Sequence, residues 1–225
     1  MCSEKMSDIK ITFYGHALFL IESSKGVKIG IDPYDEQVKT PLPELSVDIV
    51  TSSHSHSDHA YFSLFKNNPK ILNNPGKITI FDIQIEGIPT FHDELSGYKL
   101  GKNIIFKFVI DGIKIAHLGD LGHILSDNQV EILGNIDILM IPIGGIYTID
   151  GDTAIDIIQK ISPKIVIPMH YKENDIQVNP ECITIDDFKE KISNYKEVGH
   201  KITISKNTMP EKTEIWIMSS SILIS

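Results

Sequence analysis

The sequence predicts one mixed α/β domain spanning residues 1–225, and three observations predict it. Hydrophobic residues make up 41 % and charged residues 23 % of the chain, the proportions of an ordinary folded protein, which excludes disorder and collagen-like repeats. The first half is a succession of short runs rich in Ile, Val and Phe, divided by turn residues, as in strands and hairpins. The second half alternates such runs with apolar residues at helical spacing.

Each element follows from that pattern. Residues 9–14, 17–22 and 27–32 read as strands, with Lys25-Gly26 in the tight turn before the third. A proline-bearing loop over 33–46 leads to a strand over 47–52, which runs directly into a histidine cluster. Residues 60–65 read as a short helix, and 77–85 and 103–110 as strands. Asp111-Gly112 then joins 106–110 to a strand over 113–118, because both turn positions favour positive φ. Asp127 is placed to cap a helix carrying Val130 and Leu133, and 136–141 is a buried strand. Asp152 is placed to cap a helix with Ile155, Ile158 and Ile161 on one face, stopped by Pro163. A strand over 164–168 ends near His170, and the polar stretch 172–181 is expected to be a mobile surface loop. Phe188, Ile192 and Tyr195 at helical spacing predict a helix over 186–198, capped by Gly199. Strands over 202–205 and 214–218 follow, with Trp216 in the core.

Charge and composition narrow the function. Lys and Arg total 21 and Asp and Glu 30, a formal net charge of −9. Coating a polyanion needs a basic face, so no nucleic-acid partner is expected. All 21 basic residues are Lys, so no bidentate guanidinium can clamp a phosphate or carboxylate. Cys2 and Cys182 are too few for a disulfide framework or a cysteine-based zinc site. The longest apolar run, 138–147, is interrupted by Pro142, Gly144 and Gly145 and falls short of the roughly 20 residues of a membrane helix. Residues 1–10 are polar and lack the apolar core of a leader. A soluble cytoplasmic protein is expected, with a small-molecule substrate and no membrane partner; a homo-oligomer is compatible with the sequence.

The chemistry is concentrated in Ser53-His54-Ser55-His56-Ser57-Asp58-His59. In extended backbone, side chains two apart face the same way, so His54 and His56 converge on one point. Asp58 and His59 follow where the chain turns and can address a neighbouring point. Imidazole and carboxylate are ligands for Zn²⁺ and similar divalent ions, and the intervening serines leave room for close approach. His92, Asp120 and His170 each lie near the end of an apolar, strand-like stretch, where loops from distant segments share one rim.

Taken together these residues resemble the metallo-β-lactamase superfamily, whose defining motif is HxHxDH. The likeness runs along the chain in order: Asp32 in Ile-Asp-Pro-Tyr, the cluster itself, His92 in Thr-Phe-His-Asp, Asp120 in Gly-Asp-Leu-Gly, and His170 in Pro-Met-His-Tyr. With Gly15-His16-Ala17, it looks most like the subgroup that contains the L-ascorbate-6-phosphate lactonases and other metal-dependent hydrolases. The resemblance implies a four-layer αββα sandwich with two divalent cations. His54, His56 and His92 would hold one, Asp58, His59 and His170 the other, and Asp120 would bridge them together with a water or hydroxide. Zinc is the first expectation, with manganese and iron as alternatives, since His and carboxylate suit all three.

Two cations about 3.5–4 Å apart can clamp attacking and leaving oxygens, and bound water reaches a pKa of about 7. The expected function is therefore hydrolysis of a small polar or phosphorylated metabolite, at a lactone or phosphodiester. Asp58 or Asp120 would hold the attacking hydroxide. His16, His117 and His123 are candidate proton donors to the leaving group, with His117 alternatively a brace within its strand. His16, Gly145, Tyr147, Tyr171 and Lys172 are candidate substrate contacts; exposed N–H groups near Gly144-Gly145 would stand in for the missing Arg. Asp32 is expected to be structural, and His200 a capping or surface residue. The rival readings are an iron-dependent oxygenase acting on persulfides, a non-catalytic metal-binding regulatory module, and a nuclease. The flavin-linked diiron branch carries HxExD, against which His56 argues.

Overall fold

In the computed structural model, which describes residues 7–39, 41–174, 176 and 179–221, the early strands pair as their alternation requires. β1 (Ile9–Phe13), β2 (Phe19–Glu22) and β3 (Lys28–Ile31) form an antiparallel meander, and β4 (Ile49–Thr51) and β5 (Lys70–Leu72) extend it in parallel. The second sheet begins with β6 (Gly76–Ile80), β7 (Ile83–Phe91), β8 (Lys102–Ile110) and β9 (Ile113–His117), all antiparallel neighbours. β10 (Ile138–Pro142) and β11 (Ile165–Met169) continue it in parallel. β12 (Tyr195–Val198) and β14 (Glu214–Met218) complete eight strands, in the order β12-β14-β11-β10-β9-β8-β7-β6. β13 (Lys201–Ile204) crosses to the first sheet and pairs with β1, giving six strands in the order β13-β1-β2-β3-β4-β5.

Period-2 alternation sorts the side chains into layers. Ile9, Ile11 and Phe13 from one sheet meet Phe106, Phe108, Ile113 and Ile115 from the other in a shared core. Slipping β8 by one residue would turn Phe106 and Phe108 out of that core, so its register is tightly specified. The opposite face of the larger sheet, with Ile105, Ala116, Leu139 and Val166, is covered by three helices, α1 (Asp127–Leu133), α2 (Gly151–Ile161) and α3 (Ile185–Lys189). The outer face of the smaller sheet packs on Tyr34, Val38, Leu45, Leu64 and Phe65. The expected two-sheet sandwich is present, but among the described residues this second outer layer is loop and a 3₁₀ turn, not α-helix.

Several element expectations need correction. The run 77–85 is a hairpin and not one strand: Phe81 and Asp82 turn with φ of 52° and 64° between β6 and β7. Residues 60–65 hold only the 3₁₀ turn Phe62–Leu64. Ser126 and Asp150 cap α1 and α2 in place of Asp127 and Asp152; each side chain accepts the N–H three residues on. The helix over 186–198 stops at Lys189, and Tyr195–Val198 becomes an edge strand paired in parallel with β14. Pairing across the sheet outweighs a helical period carried by three residues. The Asp111-Gly112 hairpin forms as expected, with φ of 52° and 77°. Cys2, and Asp175, Gln177 and Val178 of the 172–181 loop, lie outside the described residues. No helix among the described residues is long and apolar enough to cross a membrane.

The topology positions the site. β1 and β3 run the same way, as do β3 and β4, and β7, β9, β10 and β11 likewise share a direction. The segments carrying His16, Asp32, the histidine cluster, His92, Asp120 and His170 each follow the C-terminal end of one of these strands.

Candidate metal centre

The cluster's local structure begins with Asp32, which follows β3 with a left-handed backbone, φ 49°. Its carboxylate, fully buried, accepts the Ser53 N–H at 2.8 Å and the Ser53 hydroxyl at 2.6 Å, fixing the chain as it leaves β4. The same carboxylate is 2.9 Å from His59 Nδ1, which turns His59 Nε2 inward. Ser52 and His59 close the turn, through Ser52 Oγ to the His54 carbonyl at 2.6 Å and the His59 N–H to the His56 carbonyl at 3.0 Å.

Asp120 is held from the other sheet. Its N–H donates to Asn103 Oδ1 at 3.0 Å, while Asn103 Nδ2 donates to Thr90 Oγ1 and the Leu118 carbonyl. Gly119 sits at φ 55°, with Asn103 and Ser53 where a side chain would go. A Cβ at Gly122 would run into the His92 carbonyl and the Asp93 amide, so only glycine lets this loop lie against the His92 segment. Four backbone N–H groups, of Leu95, Gly97, Lys99 and Leu100, converge on the Asp93 carboxylate and fold the loop after His92. Asp93 is buried, which raises its carboxyl, but those four bonds bring it down to about 2.

The result is a convergence on one oxygen. Asp120 Oδ2 lies 3.2 Å from Nε2 of His59, His92 and His170, and 3.8 Å from Nε2 of His54. His54 Nε2 is 3.0 Å from His56 Nδ1, and His56 is exposed. Asp58 Oδ2 is 3.7 Å from His59 Nε2 and 3.3 Å from His16 Nε2. Ligand atoms of His54, His56 and His92 lie within 4.8 Å of one another; so do those of His16, Asp58, His59 and His170, and those of His54, His59 and Asp120. The structure thus brings together all seven side chains singled out as ligands, and adds His16 to them.

Electrostatics follow from burial. Burial pulls His54 down to about 3, with the charge of His59 adding to it against Asp120. Burial also pushes His59 down, but Asp120 and Asp32 outweigh it and raise His59 well above its ordinary value. Burial would raise Asp120 and Asp58; nearby His170 and His59 hold Asp120 well below the carboxylate range, and His16 and His59 do the same for Asp58. Buried His59 Nε2, His92 Nδ1, His170 Nδ1 and Asp120 Oδ1 have no hydrogen-bond partner. Each such group costs about 1–3 kcal/mol if left bare. Imidazole nitrogens and carboxylate oxygens facing one another at these separations suit divalent transition ions, so the donor set fits the implied metal.

The remaining predicted residues divide. A cleft of about 340 Å³ opens from His92 and is lined by Gly145 and Tyr147, together with Glu94, Lys99, His123 and Asp150. Gly145 N–H is not free for an anion; it reaches Thr148 Oγ1 at 3.4 Å. Of the two roles open to His117, proton donor and brace, the structure has the brace: it is fully buried, Nε2 meets the Ala17 carbonyl at 3.0 Å and Nδ1 accepts the Gly119 N–H. Tyr171 is corrected, being buried against the helix layer with its hydroxyl toward the Met218 carbonyl at 3.4 Å. Lys172 donates to the Pro180 carbonyl and does not line the cleft. His16 is 1 % exposed and faces Asp58, not substrate. Both nitrogens of His123 are engaged, Nε2 accepting the Phe91 N–H and Nδ1 lying 2.9 Å from the Ile124 carbonyl. Sequence reasoning missed Asn103 and Asp93 and read Ser53 only as a small spacer in the cluster; of these, Asp93, ahead of Ser96-Gly97, carried a turn signal.

Comparison with known proteins agrees with this geometry. Residues 10–170 match the model of the beta-lactamase superfamily domain. A UPF0173 metal-dependent hydrolase of Pyrococcus furiosus is 32 % identical over 193 residues, covering 72 % of this chain and 84 % of that one. A UPF0173 metal-dependent hydrolase of Thermoplasma acidophilum is 33 % identical over 208 residues, covering 78 % and 89 %. A Thermotoga maritima crystal structure, assigned to the Zn-dependent hydrolases of the metallo-beta-lactamase superfamily, superposes with a TM-score of 0.78 at 38 % identity, covering 93 % of this chain and 98 % of that one.

Proposed function

The chain belongs to the beta-lactamase superfamily, and from that premise we propose that it is a metal-dependent hydrolase with two divalent cations, zinc first and manganese or iron as alternatives. The observation that carries this reading is the ring of imidazole nitrogens around Asp120 Oδ2, three of them at 3.2 Å. His54, His56 and His92 would hold one cation and Asp58, His59 and His170 the other, with Asp120 shared. A bound divalent cation brings the pKa of water to about 7 and stabilises negative charge developing on oxygen.

The chain's own residues supply orientation. Asp58, partly exposed and held ionised by His16 and His59, accepts an O–H of the attacking water and aims it. Asp120, almost fully buried, keeps the two halves of the cluster in register. The cleft leading out from His92 seats the substrate. Tyr147 hydroxyl accepts from Asn179 Nδ2 at 3.2 Å, which leaves its own proton free for a substrate oxygen. Glu94 and Asp150 bring two carboxylates to the lining of that cleft, where Lys99 brings one ammonium. Away from the positive charge that the cations would supply at its inner end, this balance favours an uncharged lactone or ester over an anionic phosphodiester.

The test is a paired assay of the purified protein before and after chelation, using a neutral lactone and an anionic aryl phosphodiester. Hydrolysis lost on chelation and restored by Zn²⁺, with the lactone cleaved faster, is the expected result. Turnover that survives stoichiometric removal of metal would overturn the reading.

A further inference from the structure

We propose that His16 is itself a ligand of the cation held by Asp58, His59 and His170, an inference that rests on the metal-centre reading above. Its Nε2 and the ligand atoms of those three residues all lie within 4.8 Å of one another. With metal–nitrogen distances of about 2.0–2.1 Å, neighbouring ligand atoms of a tetrahedral centre are about 3.3–3.4 Å apart. His16 Nε2 and Asp58 Oδ2 are hydrogen-bonded at 3.3 Å, a contact that a cation would replace; that separation and the 3.7 Å from Asp58 Oδ2 to His59 Nε2 are close to such edges.

His16 carries the mark of the inward-facing histidines and not of a brace. Its Nε2 is turned into the cluster while Nδ1 is buried without a partner, as at His92 and His170, whereas at His54 and His59 the second nitrogen meets Ser53 and Asp32. The bracing histidine, His117, has both nitrogens bonded to backbone. The backbone is committed as well. His16 sits at φ 55° and His170 at φ 53°, and the His170 N–H donates to the His16 carbonyl at 2.8 Å. Left-handed backbone is uncommon outside glycine, and here the two strained residues hold each other, with ring centroids 4.2 Å apart. At 1 % exposure His16 can meet neither solvent nor substrate.

A ligand at this position changes the character of the two cation sites. With His16, the inner cation would have four side chains of its own, the number that closes a tetrahedral site, and shared Asp120 as a fifth donor, which leaves that side without a position for substrate. The outer set of His54, His56 and His92, with exposed His56 and the cleft beside it, is the one with room for water and substrate.

The test uses the full chain labelled with ¹⁵N-histidine and loaded with ¹¹³Cd²⁺. A ¹¹³Cd–¹⁵N coupling at His16 Nε2, alongside those of His59 and His170, is expected. Couplings at His59 and His170 without one at His16 overturn the inference and leave the metal centre standing; no coupling at any histidine overturns the metal centre itself. Independently, His16→Ala is expected to weaken the tighter Cd²⁺ equivalent by about 100-fold or more in competition with a chromophoric chelator, beyond the roughly 10–100-fold of losing a partner to a ligand. A smaller loss in a folded variant overturns the inference.

Discussion

The two halves of the histidine cluster are built differently. On the inner side, His59 is wholly buried and clamped by Asp32, and His170 and His16 are locked through their backbones. On the outer side, His56 is exposed and His54 leans on it through a ring-to-ring contact of 3.0 Å, with Ser53 Oγ at 2.9 Å from the other nitrogen. In the proposed two-cation centre this contrast would separate holding a cation from using one, and Asp120 Oδ2 lies within 3.8 Å of imidazole nitrogens from both halves.

Removing what the halves share should therefore have the largest effect. Asp120→Ala is expected to lower kcat/KM by at least about 10³-fold, roughly 4 kcal/mol, with the chain still folded. Steady-state kinetics with a circular dichroism control check this; a folded variant within tenfold of the parent would break the comparison. Next comes Asp32→Asn, which touches the inner half directly through His59 and reaches the outer half only through Ser53. An amide offers one acceptor oxygen where the carboxylate now serves Ser53 and His59 together. A loss of about 10–100-fold in affinity for the tighter cation is expected, with the outer cation much less affected, measured by isothermal titration of the metal-free protein. Equal losses at both would show that the halves are not separately braced.

A smaller and sharper contrast lies in pH. In the metal-free protein His54 titrates at about 3 in the fold, below its unfolded value, so unfolding takes up a proton and stability falls as pH drops from about 6.5 toward 3. His59 has the opposite sign. Its folded value is raised, so its contribution is full below about 6.5 and is lost as pH rises through that raised value. Each histidine contributes at most about 1.4 kcal/mol per pH unit. Melting temperature against pH for metal-free protein should show a dome, and His54→Gln should flatten only its acid side. A flattened alkaline side instead would refute the assignment.

How much of this was legible in the sequence depends on whether the cause is local. His54 and His56 share a face because alternation is a property of extended backbone, and Asp111-Gly112 declares its turn by its own residues. The loops bearing His92, Asp120 and His170 were readable as strand ends. Asn103 was not: it lies at the start of β8 and reaches Asp120 only because β8 and β9 pair. Nor was the setting of Tyr171, or the partner that His117 braces, since their neighbours, Met218 and Ala17, lie far away in sequence. The end of α3 failed for the same reason, since β14 claims Tyr195–Val198 as a strand.

The weakest expected effect belongs to the cleft, outside both halves. Glu94 is exposed and carries no ion pair among the described residues, so its charge acts on substrate through solvent. Exposed charges a few ångströms apart are worth about 0.2–1 kcal/mol and are screened by salt. Glu94→Gln should accordingly lower KM for an anionic phosphodiester by about two- to fivefold at low salt, leave KM for a neutral lactone unchanged, and lose its effect near 1 M salt. A shift of equal size for both substrates would mean that Glu94 acts by shape and not by charge. The two carboxylates lining the cleft with Lys99 would then give no reason to prefer an uncharged substrate.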